Sequence, residues 1–164
     1  MSREDCLPGD IVLFPVSGKD PWESRIVGIG QLIFGAGRTN EQFSHAAVLA
    51  RTPGMVWEAS WPRVGCHSID QGRYYEVRRP RVYTEEQRRK VLAWFSVHNR
   101  DRYDLLCLLT FGLIQHKGME VCSQAVDLAL LYAGVHPNLE GERILSPDAL
   151  ADFAPIGIYR HKGE

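Results

Sequence analysis

Cys122, His45 and Glu58 are the residues whose types and settings could together perform nucleophilic chemistry. Cys122 lies within residues 119–126 (MEVCSQAV), where an apolar helical run is predicted to begin at the cysteine itself. A thiol in the first turn of a helix feels the positive end of the helix dipole, which favours the reactive thiolate. The alternative is an inert buried residue of the helix, because free cysteine is among the most buried residue types.

His45 has the best setting of the six histidines for a general base. It opens the predicted apolar strand of residues 44–51, so its ring is expected at a sheet edge beside the core. Only histidine titrates where it can hold a thiolate and later protonate a leaving group near neutral pH. His67 is the next candidate, and a structural histidine without a catalytic role is the alternative to both.

Glu58 is the candidate for the third group, which must accept the other ring N–H and fix the imidazole tautomer. It is the charged residue of an otherwise apolar strand predicted over residues 55–59. By strand alternation Glu58 shares a face with Val56 and not with Trp57, so a buried Val56 would turn Glu58 inward. The alternative is a carboxylate that points outward into solvent.

Length, composition and charge define a broad class of protein. At 164 residues the chain suits one compact domain, and 45% apolar with 24% charged residues is an ordinary globular composition. A net charge of −1 gives no electrostatic basis for binding nucleic acid. The four cysteines are far apart and lack CxxC spacing, so we predict reduced thiols, no metal site and no cofactor.

The N-terminal segment shows no targeting signal. It has no apolar core of signal-peptide length, and no stretch of the chain approaches the roughly 18 apolar residues of a membrane span. We therefore expect a protein made in the cytoplasm, without an integral membrane segment. Export by a route that needs no cleavable signal stays open.

The predicted elements mix strands and helices. Strands are predicted at residues 11–14, 44–51, 55–59, 74–79 and 156–160, and short turns between neighbours favour antiparallel pairing. Helices are predicted at residues 84–98, 104–114 and 122–134, and from a Ser-Pro start at 146–147. Residues 21–34 are interpreted as a loose helix or an ordered loop. Thr84 and Gln87 have the spacing of a capping box.

Six short motifs, in this order, resemble the permuted NlpC/P60 superfamily of papain-like cysteine hydrolases, of the YiiX/YebB type. They are residues 8–12 (PGDIV), 44–48 (SHAAV), 57–59 (WEA), 103–104 (YD), 122–126 (CSQAV) and 146–150 (SPDAL). Ordinary papain-like enzymes place the cysteine before the histidine along the chain. The reversed order found here is the permuted one.

The resemblance implies an α+β, circularly permuted papain-like NlpC/P60 fold. A small antiparallel sheet would pack against helices, and residues 1–164 would form a single catalytic domain. Carried over by position, Cys122 is the nucleophile, His45 the base and Glu58 the residue that orients the base. The backbone N–H of Cys122 is the expected oxyanion donor, with one further donor unassigned. Val121 departs from the family pattern, because an aromatic residue often precedes the cysteine.

The implied activity is that of a cysteine amidase or peptidase that forms an acyl-thioester on Cys122. The leading substrate is a peptide, with a peptidoglycan stem peptide as the first choice. A secreted effector or a phage product would fit that substrate, and an immunity protein would be the partner of a toxin. The alternative is a lipid-directed acyl hydrolase or acyltransferase of the lecithin:retinol acyltransferase-like branch, with an acyl groove along residues 105–114. A non-catalytic binding module is disfavoured, because all three catalytic residue types are present.

Overall fold

The computed structural model describes residues 3–15, 43–69, 72–104, 119–135 and 147–162. After a short 3-10 turn at Arg3–Asp5, the described strands are β1 (Ile11–Pro15), β2 (Phe43–Leu49), β3 (Met55–Ser60), β4 (Arg63–Ser68), β5 (Tyr75–Arg79), β6 (Arg102–Tyr103), β7 (Met119–Glu120) and β8 (Ile156–His161). The described α-helices are α1 (Glu85–Val97), α2 (Cys122–Tyr132) and α3 (Pro147–Phe153).

The strands form one mixed sheet in the order β7-β6-β4-β3-β2-β1-β5-β8. Every neighbouring pair is antiparallel except β6 with β7, which are parallel. The predicted α+β class with an antiparallel sheet packed against helices is therefore confirmed, although the sheet is larger than the small one expected. The finer assignment to a permuted papain-like fold stays a prediction.

Five of the strands were predicted from the sequence and three were not. Strand β4 has the sequence RVGCHS, which lacks the apolar alternation of a half-buried strand. Strands β6 and β7 have only two residues each, too few for any periodicity to appear. These three strands extend the sheet beyond β3 on one side.

The sheet separates two apolar cores. Alternate residues of β1 divide between them: Ile11 and Leu13 join the core beneath the helices, whereas Val12 and Phe14 join the core on the opposite face. The helical core also includes Phe95 of α1 and Leu130 of α2. Burial on both faces fixes the register of the central strands, because a slip of one residue would exchange the two sets.

The turn before β1 is fixed by two adjacent residues, Gly9 and Asp10. Gly9 has φ +96°, and a Cβ there would lie 2.8 Å from the Cβ of Arg88 on α1, so glycine is required. Asp10 is completely buried and accepts hydrogen bonds from the Arg79 guanidinium at 2.7 Å and from the Leu7 N–H at 2.8 Å. The motif at residues 8–12 thus joins the start of the sheet to both α1 and β5.

The predicted starts of α1 and α2, and the glycine predicted to end α2, are confirmed. The Thr84 hydroxyl accepts the N–H of Gln87 at 3.2 Å and the Gln87 amide oxygen accepts the N–H of Thr84 at 2.9 Å, which completes the capping box of α1. Helix α2 starts at Cys122 as predicted, and Gly134 follows its last turn with φ +70°.

Other predicted elements lie outside the described residues. These are the helix or loop at residues 21–34, residues 105–114 of the second predicted helix, and the serine cap at 146. Asp104, the start of that second helix, is described: it is buried and follows β6 without being helical. In the described parts of the chain, no helix has the length and apolar character needed to cross a membrane.

Candidate active site

Strands β2 and β3 are paired over only part of their length. Within the described residues, their register partners are Val48 with Trp57 and Leu49 with Val56. Toward His45, β2 still pairs with β1, and toward Glu58, β3 still pairs with β4. These parts of β2 and β3 do not pair with each other. The two strands therefore diverge toward the ends that carry His45 and Glu58, and this divergence opens a gap in the sheet.

A hydrogen bond spans the gap between the two strands. Nε2 of His45 lies 2.6 Å from Oε2 of Glu58, and the two side chains are only 12% and 17% exposed. Glu58 shares its face of β3 with Val56, which is buried, as strand alternation requires. A hydrogen bond this short between a carboxylate and an imidazole is charge-assisted.

Cys122 is the first residue of α2, and it is 2% exposed. Its thiol is hydrogen-bonded to the His45 ring, and because Nε2 of that ring is engaged by Glu58, Nδ1 is the nitrogen left for the sulfur. The backbone N–H groups of Ala46 and Ser123 also donate to the sulfur. The structure thus brings the three predicted residues into one continuous set of contacts.

The N–H of Ala46 reaches the sulfur because of the gap. The N–H of Ala50 donates to the carbonyl of Met55 on β3 at 3.0 Å. Alternate residues of a strand direct their N–H groups to the same side, so the N–H of Ala46 also points toward β3. Where β3 has diverged, the first turn of α2 presents the Cys122 sulfur to this N–H instead.

The three side chains shift one another's pKa values. Burial by itself would raise the pKa of Cys122, but the His45 charge and hydrogen bond, with the two backbone donors, lower it below its ordinary value. Burial would lower the pKa of His45, but the Cys122 thiolate and the Glu58 carboxylate raise it to about 10. Between these two pKa values the pair is a thiolate and an imidazolium.

Further groups act on the Glu58 carboxylate. Burial would raise its pKa, but His45 first, and then His67 and Arg73, hold the pKa of Glu58 below its ordinary value. The Arg73 guanidinium lies 4.8 Å from the centre of the Phe14 ring, and that ring lies 5.5 Å from the His45 ring. Phe14 therefore separates the imidazole from solvent on one side and supports a cation beside the site.

Sequence reasoning missed the backbone donor Ala46 and the cation Arg73, and it named His67 only as the second candidate for the base. Alternation along β2 could have indicated Ala46 once the pairing of β2 with β3 was known to be incomplete. His67 lies on β4, the strand that lacks a periodic signal. Arg73 approaches the site because β5 pairs with β1, and strand order is not readable from local sequence.

The remaining candidate ligands and thiols are dispersed. Among the residues that the structure describes, no group of three or more histidine, cysteine, aspartate and glutamate side chains is placed to hold a metal ion. Cys6 and Cys66 are partly buried thiols that form no disulfide among the described residues, and Cys107 lies outside those residues. Partial burial, and then the charge of Glu58, raise the pKa of Cys66, which makes it a poor nucleophile at neutral pH.

Comparison of the sequence with protein-family models gives no match, and comparison with curated proteins gives none either.

We expect the alkylation of Cys122 by iodoacetamide to depend weakly on pH. Only the thiolate reacts, and the lowered pKa keeps Cys122 ionised, whereas an ordinary thiol with a pKa of about 8.5 loses about tenfold in rate per pH unit below it. Mass spectrometry of native protein gives, for each cysteine, the ratio of its alkylation rates at about pH 8 and about pH 6. This ratio does not depend on how accessible each thiol is. Cys6 and Cys66 are internal controls. A tenfold loss per unit at Cys122 would contradict its activation.

Proposed function

We propose that this protein is a cysteine hydrolase that cleaves an amide through an acyl-thioester on Cys122. The observation that supports the proposal is the continuous set of contacts from the Cys122 sulfur through the His45 ring to the Glu58 carboxylate. A thiol, an imidazole and a carboxylate in this sequence of contacts are the parts of an activated nucleophile and its base. The catalytic unit would be the single domain of residues 1–164.

In the acylation step, the Cys122 thiolate attacks the carbonyl carbon, and the carbonyl electron pair moves onto oxygen. Collapse of this tetrahedral intermediate re-forms the carbonyl and expels the amine, which takes its proton from the His45 imidazolium. The products are the acyl-thioester, a free amine and a neutral imidazole. Glu58 holds the ring in place and stabilises the imidazolium before the proton leaves.

In the deacylation step, neutral His45 accepts a proton from water while the water oxygen attacks the thioester carbonyl. Collapse of the second intermediate releases the carboxylic acid and returns the electron pair to sulfur. The thiolate and imidazolium pair is thereby restored.

The first turn of α2 supplies one donor for the oxygen that becomes negative in both intermediates. First-turn N–H groups have no acceptor within their own helix, and Val121, the N-cap residue, offers no side-chain cap. The N–H of Cys122 is the donor that we assign to the oxyanion, because the N–H of Ser123 already contacts the sulfur.

The proposed substrate is a peptide, with a peptidoglycan stem peptide as the first choice. The choice rests on the six motifs that resemble the permuted NlpC/P60 superfamily. An effector or phage product exported without a cleavable signal, with an immunity protein as partner, would suit this substrate. The lipid-directed alternative depends on an acyl groove along residues 105–114, which lie outside the described residues.

Purified protein incubated with isolated sacculi tests the proposal. We expect new amino groups to appear in proportion to enzyme, and the Cys122→Ala variant as the matched control to release none. Expression with a periplasmic signal peptide should lyse cells, whereas expression without one should not.

Intact sacculi combined with harmless periplasmic expression would overturn the peptidoglycan assignment. Phospholipid and fluorogenic acyl esters are the second substrate panel. Cleavage of these esters, with the acyl group trapped on Cys122 and detected by mass spectrometry, would establish the lipid-directed alternative.

A further inference from the structure

Strand β4 places a second histidine beside the carboxylate of the site. Gly65 is the register partner of Glu58, so the two residues face each other across β3 and β4. His67 lies two positions further along β4, and its side chain therefore projects from the same face of the sheet as that of Glu58. His67 is exposed, at the rim of the site.

The His67 ring folds back over Gly65. A Cβ built on Gly65 would lie 2.8 Å from Nε2, 3.3 Å from Cε1 and 3.6 Å from Cδ2 of His67. Any residue other than glycine at this position would therefore displace the ring. The missing side chain of Gly65 creates the space in which the imidazole lies, directly across the strand pair from Glu58.

We propose that His67 is a positioning residue that acts through Glu58: its ring, seated over Gly65, supplies positive charge to the carboxylate that orients His45. The other charged and titratable groups that act on the Glu58 carboxylate are His45 and Arg73. Cys66 is the neighbour of His67 on β4.

The charge of His67 acts first on the ionisation of Glu58. A cation beside this carboxylate favours its ionised form over the neutral acid. An ionised Glu58 keeps the His45 imidazolium in place, and the added positive charge also favours the Cys122 thiolate. His67 therefore extends the thiolate and imidazolium pair toward lower pH.

Titration of the Cys122 thiolate by its ultraviolet absorbance tests this role without any substrate. The signal is the difference between each variant and the same variant carrying Cys122→Ala. For His67→Gln we expect the acid midpoint to rise by about half a pH unit, the effect of one exposed charge in a high dielectric. His67→Lys, which keeps a positive charge, should leave the midpoint at or below the wild-type value.

The Gly65→Ala variant perturbs the same contact from the other side. Its Cβ should displace the ring and reproduce the rise seen in His67→Gln, and the double variant should show no further rise. Gly157→Ala is the matched control, because a Cβ at this β8 glycine would meet nothing within 4 Å. High salt should shrink the difference between His67→Gln and wild type, since exposed charges are screened.

Two results would overturn the proposal: an unchanged midpoint in His67→Gln, or additive shifts in the double variant. The proposal rests on the proposed function, but the two fail separately. Wild-type protein that titrates as expected and yet cleaves neither sacculi nor acyl esters would contradict the proposed function alone.

Discussion

Replacing Cys122 by alanine is expected to abolish turnover, with a loss of about a millionfold, because no other group can form the acyl-thioester. His45→Ala should cost a similar factor, since thiolate formation and leaving-group protonation both require the ring. Glu58→Gln should cost only about a hundredfold, because an amide oxygen can still accept the ring N–H at Nε2. Initial rates on the cleaved substrate, with folding checked by circular dichroism, measure all three.

The pH profile of Glu58→Gln gives a second readout. The carboxylate helps to raise the pKa of His45 to about 10, so its removal should lower that pKa. Activity needs the imidazolium, and the alkaline limb should therefore move to lower pH. Cys66→Ala is the control and should keep full activity. A folded His45→Ala variant with wild-type rates would remove His45 as the base and transfer that role to His67.

The second large effect concerns stability. Asp10→Ala should lower the free energy of unfolding by about 3 kcal/mol, because it leaves the Arg79 guanidinium without its carboxylate in a largely buried setting. The N–H of Leu7 would lose its acceptor as well. The Arg79 side chain is 21% exposed, so water relieves part of the cost of the unpaired charge. Urea denaturation measures the change, and the melting temperature should fall by roughly 6 to 12 °C.

An exposed ion pair provides the matched control for Asp10→Ala. Glu86 and Lys90 of α1 lie 2.9 Å apart, with side chains 71% and 49% exposed. Lys90→Ala should leave the free energy of unfolding nearly unchanged, because an exposed ion pair contributes little. Equal effects of the two substitutions would show that the buried pair at the start of β1 does not anchor the sheet.

The local features of this fold were predictable from sequence because their causes are local. The Thr84 and Gln87 pair marks the start of α1 by hydrogen bonds within four residues, and Gly134 ends α2 through its own backbone freedom. The inward direction of Glu58 also follows from alternation along a single strand. These signals need no knowledge of which strands are neighbours.

Strand order and the partners of the site were not predictable, because they depend on residues distant in sequence. Pairing of β5 with β1 brings Arg73 toward Phe14, and pairing of β4 with β3 brings His67 opposite Glu58. Strand β4 itself is specified by these contacts more than by its own composition. The three residues of the proposed site could be named from the sequence, whereas the charged groups around them could not.

The gap between β2 and β3 places the stability of the sheet and the geometry of the site in conflict on the same stretch of backbone. Each interstrand hydrogen bond that the diverging strands do not form lowers the free energy of unfolding. The N–H of Ala46 is one of the donors that leave the ladder. Substitutions that draw β3 back against β2 would lengthen the ladder and add stability. They would also displace the N-terminal end of α2, which carries Cys122. The Ala46 N–H would then bond to β3 and no longer to the sulfur. Selection for thermal robustness alone would therefore tend to close this gap, and the proposed enzyme would become inactive with its three catalytic side chains unchanged.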